Sequence, residues 1–365
     1  MRKKWGLVLV CIGLVLFICP AAEAKDESGA KTVIVDCEKG DSINEALEEK
    51  ADELVIEIVG TCQEDVVIER NNVTLRGAGS GATVVAASST AIYLDRVSRV
   101  SLENLSAQGG IEGPGDIGGA GVAVVLSTGV SVSDLVVELG QSKGMIVAGS
   151  EVIISDSDFR DNNGYGLQGN ASKLFFLGGE VELSGNSYEG LLLSFQSSLI
   201  SVASVRANGN GDGGIMLGEN SSASLIGPVE VTGNDVAGIG AESGSVLGLS
   251  DVEAYGNENG LVAMTGGQIH IAEDGGAYVH DNTLTGLTAV DDGFFEFTGT
   301  VESNGTFGVY LDAGSATFRN STILGNTWLD VYGRCGNKIV LIGGEVPWGT
   351  IVILPHGGDI CGRPL

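Results

Sequence analysis

The sequence predicts an all-β fold: a single-stranded parallel β-helix solenoid of about 22–24 residues per coil. Three observations carry this. Asparagine and glycine recur four residues apart, once per repeat, as Asn162/Gly166, Asn186/Gly190, Asn210/Gly214, Asn234/Gly238, Asn282/Gly286 and Asn304/Gly308. Asn257/Gly260 is the same pair with one residue lost, and Asn326 follows without its glycine. Successive glycines from Gly166 to Gly308 lie 24, 24, 24, 22, 26 and 22 residues apart, and a fixed period in this range marks a solenoid. Each glycine also opens a short apolar-x-apolar strand, such as Leu191-Leu192-Leu193 or Ile215-Met216-Leu217. Finally, Gly, Asn and Ser interrupt the strands too often for helical repeats.

The elements follow in order. Residues 1–24 read as a secretory signal, with Arg2, Lys3 and Lys4 before an apolar core from Leu7 to Phe17 and Ala22-Glu23-Ala24 as the cleavage site. That core is too short to span a bilayer, so no transmembrane segment is expected after cleavage, and the mature chain is placed in the periplasm or outside the cell. Residues 25–365 form one β-helix domain: an N-terminal cap and first coils to residue 70, repeats over 71–333, and C-terminal coils and cap over 334–365. Val33-Ile34-Val35 is the first strand. A short capping helix starts at Ser42, with Glu45 three residues on completing a capping box and Ile43, Ala46 and Leu47 sharing one face. The helix covers the open end of the coil, where unpaired strand edges invite aggregation. Strands follow at Leu54–Val59, Val66–Ile68 and Val73–Leu75. Gly109 to Gly121 breaks the period as a bulging loop. Ile339–Ile342 and Ile351–Leu354 are final strands. One full coil reads as three strands, Ile215–Leu217, Ala223–Ile226 and Val229–Val231, the last two separated by a Gly227-Pro228 turn. Their middle residues point outward and their ends inward, so the coils stack into three parallel sheets.

Charge limits the partners. The whole chain carries −28, and removing the signal takes away three bases and one acid, leaving −30. Such a field repels nucleic acid and anionic membranes. Four of the six cysteines survive cleavage: Cys37, Cys62, Cys335 and Cys361. Three pairings are open to them, and local pairing, Cys37 with Cys62 and Cys335 with Cys361, staples the two terminal coils. No CxxC spacing favours zinc instead.

The N-x-x-x-G-aliphatic repeats, with the opening Asp36-Cys37, Gly60-Thr61-Cys62 and Asn72-Val73-Thr74-Leu75-Arg76-Gly77, resemble the right-handed parallel β-helix superfamily, the pectin-lyase-like fold. The resemblance covers nearly all of the mature chain and implies right-handed coils. It implies fold more than function, since that superfamily holds lyases, hydrolases, esterases, epimerases and adhesins. Its enzymes work in a groove on one sheet with carboxylates, joined by Arg or Lys in the lyases. Here no Lys or Arg occurs between Arg206 and Arg319. Asp291-Asp292-Gly293 is similar to the paired aspartates of polygalacturonase-like hydrolases, without their Asn-Thr-Asp companion, and the epimerase Asp-Pro-His is absent.

Several constellations are candidates for a site. The column Asn162, Asn186, Asn210, Asn234, Asn282 and Asn304 is expected to be a structural ladder that satisfies the turns. The outward residues of the first strand, Ile146, Gln168, Leu192, Met216, Gly240, Val262, Thr288 and Tyr310, carry no charge and form an apolar contact strip. Those of the third strand, Asp158, Glu182, Arg206, Glu230 and Glu253, form an acidic row in which Arg206 relieves repulsion between its neighbouring glutamates. Glu230 and Glu253 could hold Ca²⁺, the one cofactor this pattern allows. Asp291, Asp292 and Asp312 fall at one edge of the first-strand face on adjacent coils, with Thr288 and Tyr310 lining them and no basic or histidine partner nearby. They are the catalytic candidates if the chain is a glycosidase. His270, Glu273, Asp274, His280 and Asp281 suit a metal by type, but the histidines are expected in exposed loops too far apart to share an ion. The leading function is binding or structural, on a neutral glycan or an envelope protein; the alternatives are a polysaccharide-degrading enzyme and an adhesin or passenger-like fragment.

Overall fold

The computed structural model describes residues 30–79, 81–110, 118–334, 337–345 and 351–353. The signal segment, most of the Gly109–Gly121 loop, Cys335 and Cys361 lie outside these residues.

All ladder pairings between strands are parallel, and residues 22–26 apart lie in register through the repeats, as in Leu191↔Ile215↔Ile239 and on to Leu261, Leu287 and Val309. The chain therefore winds as a β-solenoid, with a first face of 13 strands, one per coil. The second and third faces were expected as separate sheets. They share one hydrogen-bonded network of 20 strands. The reason is local: strands such as Ser98–Gln108, Thr128–Glu138 and Ser222–Thr232 run unbroken around the corner. Asn104 and Asp134 take positive φ at the bend, 51° and 50°. Asn and Asp tolerate this region better than most residues. In the third of these strands, Gly227-Pro228 is a bulge rather than a turn, seen as a register shift between Leu225 and Pro228.

Inside the coil, strand ends alternate inward as expected. Ile215 and Leu217 are fully buried, and Phe159, Phe176, Phe295, Phe297 and Phe318 fill the wider levels. Each such side chain stabilises the fold by roughly 1.5–3 kcal/mol through burial.

The asparagines form the expected ladder, with Asn257 and Asn326 as further rungs. Asn210 Oδ1 accepts from Asn186 N and Nδ2 at 3.0 and 3.1 Å, while Asn210 Nδ2 donates to Leu183 O and Asn234 Oδ1, both at 2.9 Å. All four hydrogen-bonding sites of a buried amide are thus filled. The glycine repeats with the asparagine for a steric reason. A Cβ on Gly190 would lie 2.9 Å from Asn210 Nδ2, and one on Gly308 would lie 2.5 Å from Asn326 Nδ2. Asp330 occupies the place of the missing glycine after Asn326. Its Oδ1 accepts from Asn326 N and Nδ2 at 3.1 and 2.9 Å, ending the ladder with a carboxylate.

A second ladder was not read from the sequence. Ser127, Ser150, Ser172, Ser197, Ser221 and Ser245 repeat at the coil period, and each Oγ from Ser150 onward accepts the backbone N–H of the serine before it at 2.9–3.2 Å. The signal was the same spacing that betrayed the asparagines, hidden by the abundance of serine in turns.

At the N-terminal end, the helix Ile43–Leu47 buries Ile43 and Ala46 against the first coils. Ser42 Oγ accepts from Glu45 N at 3.3 Å, which is half of a capping box. The remaining amino groups go to Glu64 on the neighbouring coil, which accepts from Ile43 N at 2.7 Å and Asn44 N at 3.3 Å. Cys37 and Cys62 are disulfide-bonded, with Cα atoms 5.1 Å apart, tying this cap to the first coils.

Candidate functional site

The first face presents its middle residues outward in one register: Ile146, Gln168, Leu192, Met216, Gly240, Val262, Thr288, Tyr310 and then Tyr332. A continuous exposed apolar strip does not result. Ile146 is 1% and Val262 5% exposed. Met216 lies back over the face, where a Cβ on Gly213 or Gly240 would come within 2.8 Å of its sulfur. The outward column itself is uncharged along its middle coils. Its two ends differ.

Toward the C-terminal coils the face is aromatic. Phe307 and Tyr332 stack with centroids 5.0 Å apart and planes 16° from parallel, and Tyr310 and Tyr332 stack at 5.8 Å and 19°. Trp328, 71% exposed, stands edge-on to Phe307. Of these, only Tyr310 was singled out from the sequence; Phe307 precedes the repeat glycine Gly308, and Trp328 stands one coil beyond Thr306, so neither falls in the outward column that the repeat defines. Thr288 joins Thr285 and Asn259 in a hydroxyl–amide chain on the coils just before.

Asp312 borders the aromatic patch, and the expectation that it has no basic partner is wrong. Asp312 pairs in register with Arg334, whose Nη2 bonds Asp312 Oδ2 at 2.5 Å. Arg334 also lies 5.8 Å from the Tyr310 ring centroid. The bond from Asp312 raises the Arg334 pKa, and burial raises that of Tyr310. Asp291 and Asp292 form an exposed turn on the coil before, with φ of 47° and 66°. Asp291 N donates to Asp312 O at 3.1 Å, so the adjacent-coil placement holds. The trio is brought together by its backbones, but its best-placed carboxylate is held in an ion pair.

The acidic row lies on the third face in register, Asp158↔Glu182↔Arg206↔Glu230↔Glu253. Arg206 pairs with Glu180 at 2.9 Å and Glu230 at 3.5 Å, not with Glu182. Burial, then Glu182, raises the Asp158 pKa. Glu253 faces His280 at 3.4 Å. Among the described residues no group of three His, Cys, Asp or Glu side chains is placed to hold a metal ion.

The histidines are not in loops. His270 and His280 both lie on the strand Gln268–His280. His280 is stacked on Tyr255 and Tyr278 with its side chain only 13% exposed. His270 bonds Glu296, whose pKa is lowered by Arg319 and then by His270.

Beside the middle of this column, the first face carries a carboxyl that sequence reasoning missed. Glu189 precedes the repeat glycine Gly190, and burial raises its pKa, with Asp212 and Glu242 adding to the rise. Tyr165, beside it, is raised by burial and by Glu189, and pairs with Tyr188 at 5.4 Å.

A family model for the right handed beta helix region matches residues 56–284. The chain belongs to this family. No curated protein sequence matches it. Among solved structures, the catalytic unit of the thermostable GH87 α-1,3-glucanase from Streptomyces thermodiastaticus strain HF3-3 is similar over 81% of this chain, with 16% identity and a TM-score of 0.52. This chain spans 64% of that unit's length. The A-module of the Azotobacter vinelandii mannuronan C-5 epimerase AlgE6 is similar over 84% of this chain and 91% of its own, with 14% identity and a TM-score of 0.50. At such identities the likeness is one of fold: a right-handed β-helix of about 13 turns. No helix among the described residues is long and apolar enough to cross a membrane.

Proposed function

We propose that this right-handed β-helix is an exported acidic protein that binds a neutral glycan on its first face. The aromatic patch of Phe307, Tyr310 and Tyr332 carries the reading. Sugar rings present an apolar C–H face and a polar hydroxyl rim. Tyrosine and tryptophan offer the matching apolar body with a polar tip. Asp312 and Arg334 at the border, and Thr285, Thr288 and Asn259 beyond, supply donors and acceptors to hydroxyls. The −28 charge of the chain favours a neutral polysaccharide over an anionic one. That the similar structures include a glucanase and a mannuronan epimerase agrees with a carbohydrate partner.

Binding without cleavage is the form this takes at Asp291, Asp292 and Asp312, because Asp312 is held in an ion pair with Arg334. Titrating the protein with neutral and uronic oligosaccharides tests the reading. Neutral chains should bind and Tyr310→Ala should weaken them by about 10-fold or more, the scale of one lost stacking contact. Preference for uronic chains, or indifference to Tyr310→Ala, would refute it.

One observation favours a catalytic second reading. Glu189 is a carboxyl whose raised pKa suits a general acid, with Asp212 beside it. Release of reducing ends from a neutral polysaccharide, lost in Glu189→Gln and kept in Asp312→Asn, would establish it.

A further inference from the structure

On the second face the acidity of the chain is interrupted. Its middle outward column runs Ser131↔Ile153↔Phe175↔Ile200↔Ser224↔Gly248. The column before it runs Glu151↔Lys173↔Ser198↔Ser222↔Val246. The column after it holds Ser133, Ser155, Leu177, Val202, Ile226 and Ser250, each one residue past a buried position of the ladder. Ile153, Leu177, Ile200, Val202 and Ile226 are 38–54% exposed, and Phe175 among them is half-buried. Glu151 and Lys173 are the only charges on these three columns, and they are of opposite sign. Residues two apart on a strand and in register on neighbouring coils adjoin on one face, so the apolar side chains form a single patch.

A contiguous exposed apolar patch marks an interaction surface, and charge selects what covers it. On the same coils the third face puts Asp158, Glu182, Glu230 and Glu253 outward, so the lack of acids is local to the second face. A basic partner would be drawn by carboxylates here; a second copy of this chain, itself carrying −28, would be repelled by them. The patch is also self-complementary, as a two-fold contact requires. With the two-fold axis along the strands, midway between the coils of Phe175 and Ile200, Phe175 faces Ile200 of the second copy and Leu177 faces Val202. The outer large side chains then meet small ones, Ile153 against Ser224 and Ile226 against Ser155. Lys173 and Glu151 face Ser198 and Ser222, so no like charges meet inside the patch. Acids return at the rim, as Asp134, Asp156 and Asp251. Asp134 and Asp156 take positive φ where the sheet bends toward the third face.

We propose that the second face pairs two copies of this chain, with the solenoids antiparallel and their sheets packed face to face as in a β-sandwich. Six coils at ~4.8 Å and three outward residues at ~6.6 Å give a contact of about 29 by 20 Å, roughly 600 Å² per copy. That is the size of the smallest specific interfaces, about 1,200 Å² in total, so the dimer is weak and reversible. The net charge of each copy opposes the other at long range. Added salt screens this repulsion and leaves the apolar contact, so association tightens with salt, where capture of a basic partner would weaken. The first face stays uncovered, and the pairing does not depend on the glycan reading.

The test is analytical ultracentrifugation of the full chain from micromolar to submillimolar concentration, in low salt and in about 0.5 M NaCl. The wild type should show a monomer–dimer equilibrium that shifts toward dimer in the higher salt. Ile200→Arg and Phe175→Glu should each weaken it by about tenfold or more, since each buries an unpaired charge at the contact, while thermal midpoints of the monomers stay close to the wild type. Mixing the two variants should restore association. Across the proposed axis the new Glu faces the new Arg at one end, and the unchanged Ile200 and Phe175 meet at the other. A wild type that is monomeric throughout, a dimer that survives both substitutions, or a mixture that fails to associate would each overturn the proposal. So would a monomeric wild type that binds a Lys- and Leu-rich peptide and loses it in Ile200→Arg, which would give the face to a basic partner.

Discussion

At the corner of each coil, one asparagine uses every donor and acceptor it has, and the glycine four residues on leaves room for the next amide. Replacing Asn210 with Ala strips acceptors from Asn186 and a donor from Asn234 in a dry site, so it should cost about 1–3 kcal/mol in chemical denaturation without altering glycan affinity per folded molecule. A neutral substitution would show that the ladder does not hold the coils. Gly214→Ala should cost at least as much, because its Cβ would sit 2.5 Å from Gly238 O, a backbone atom that cannot step aside. Glu189 gives a prediction with a sign. Burial lifts its folded pKa above the ordinary 4.5, so between 4.5 and the raised value the folded chain binds more protons than the unfolded chain. Its contribution to stability is therefore intact below the unfolded pKa and declines as pH rises through this window. Glu189→Gln should match the wild type in thermal midpoint near pH 4 and exceed it at neutral pH; a variant less stable than wild type at neutral pH would contradict this. The ladder asparagines were legible in the sequence because they repeat. Glu189 was not, since its position holds Tyr165 one coil earlier and Gly213 one coil later.

For the elements, strand positions followed from glycine and asparagine punctuation, and the first-face registers follow the repeat residue for residue. What the pattern misjudged was the corner between the second and third faces. Gly227-Pro228 reads as a turn, but hydrogen bonding to the coils on either side keeps Ser222–Thr232 one strand with a bulge. The capping helix was legible in outline, while its main N-terminal acceptor, Glu64, is distant in sequence and became a partner only when the first coil closed. The Cys37–Cys62 bond ties this cap across 25 residues. Replacing both cysteines with serine should lower stability by about 2–4 kcal/mol and loosen the N-terminal coils first, which hydrogen exchange would report. Uniform loss of protection along the solenoid would argue that the staple acts globally.

As a whole molecule, the chain is an acidic rod in which the described ion pairs involve only a minority of the acids. Self-repulsion should then weaken with salt: the thermal midpoint should rise between about 0.01 and 0.15 M NaCl, where the screening length falls from about 30 to 8 Å. A midpoint independent of salt would mean that the acids are spaced widely enough around the coil not to interact. The sequence by itself determined the solenoid, its period, the interior of each strand and the asparagine column. Those properties arise from contacts between a residue and its counterpart one coil away, and a repeat writes such contacts at constant spacing. Only the tertiary structure decided which side chains meet on the outside. Arg334 reaches Asp312 and Phe307 reaches Tyr332, because outward neighbours are set by the residue each coil supplies and by loops no periodicity encodes. A core side chain in a solenoid has a neighbour of its own type above and below. A surface side chain has whichever residue that particular coil supplies.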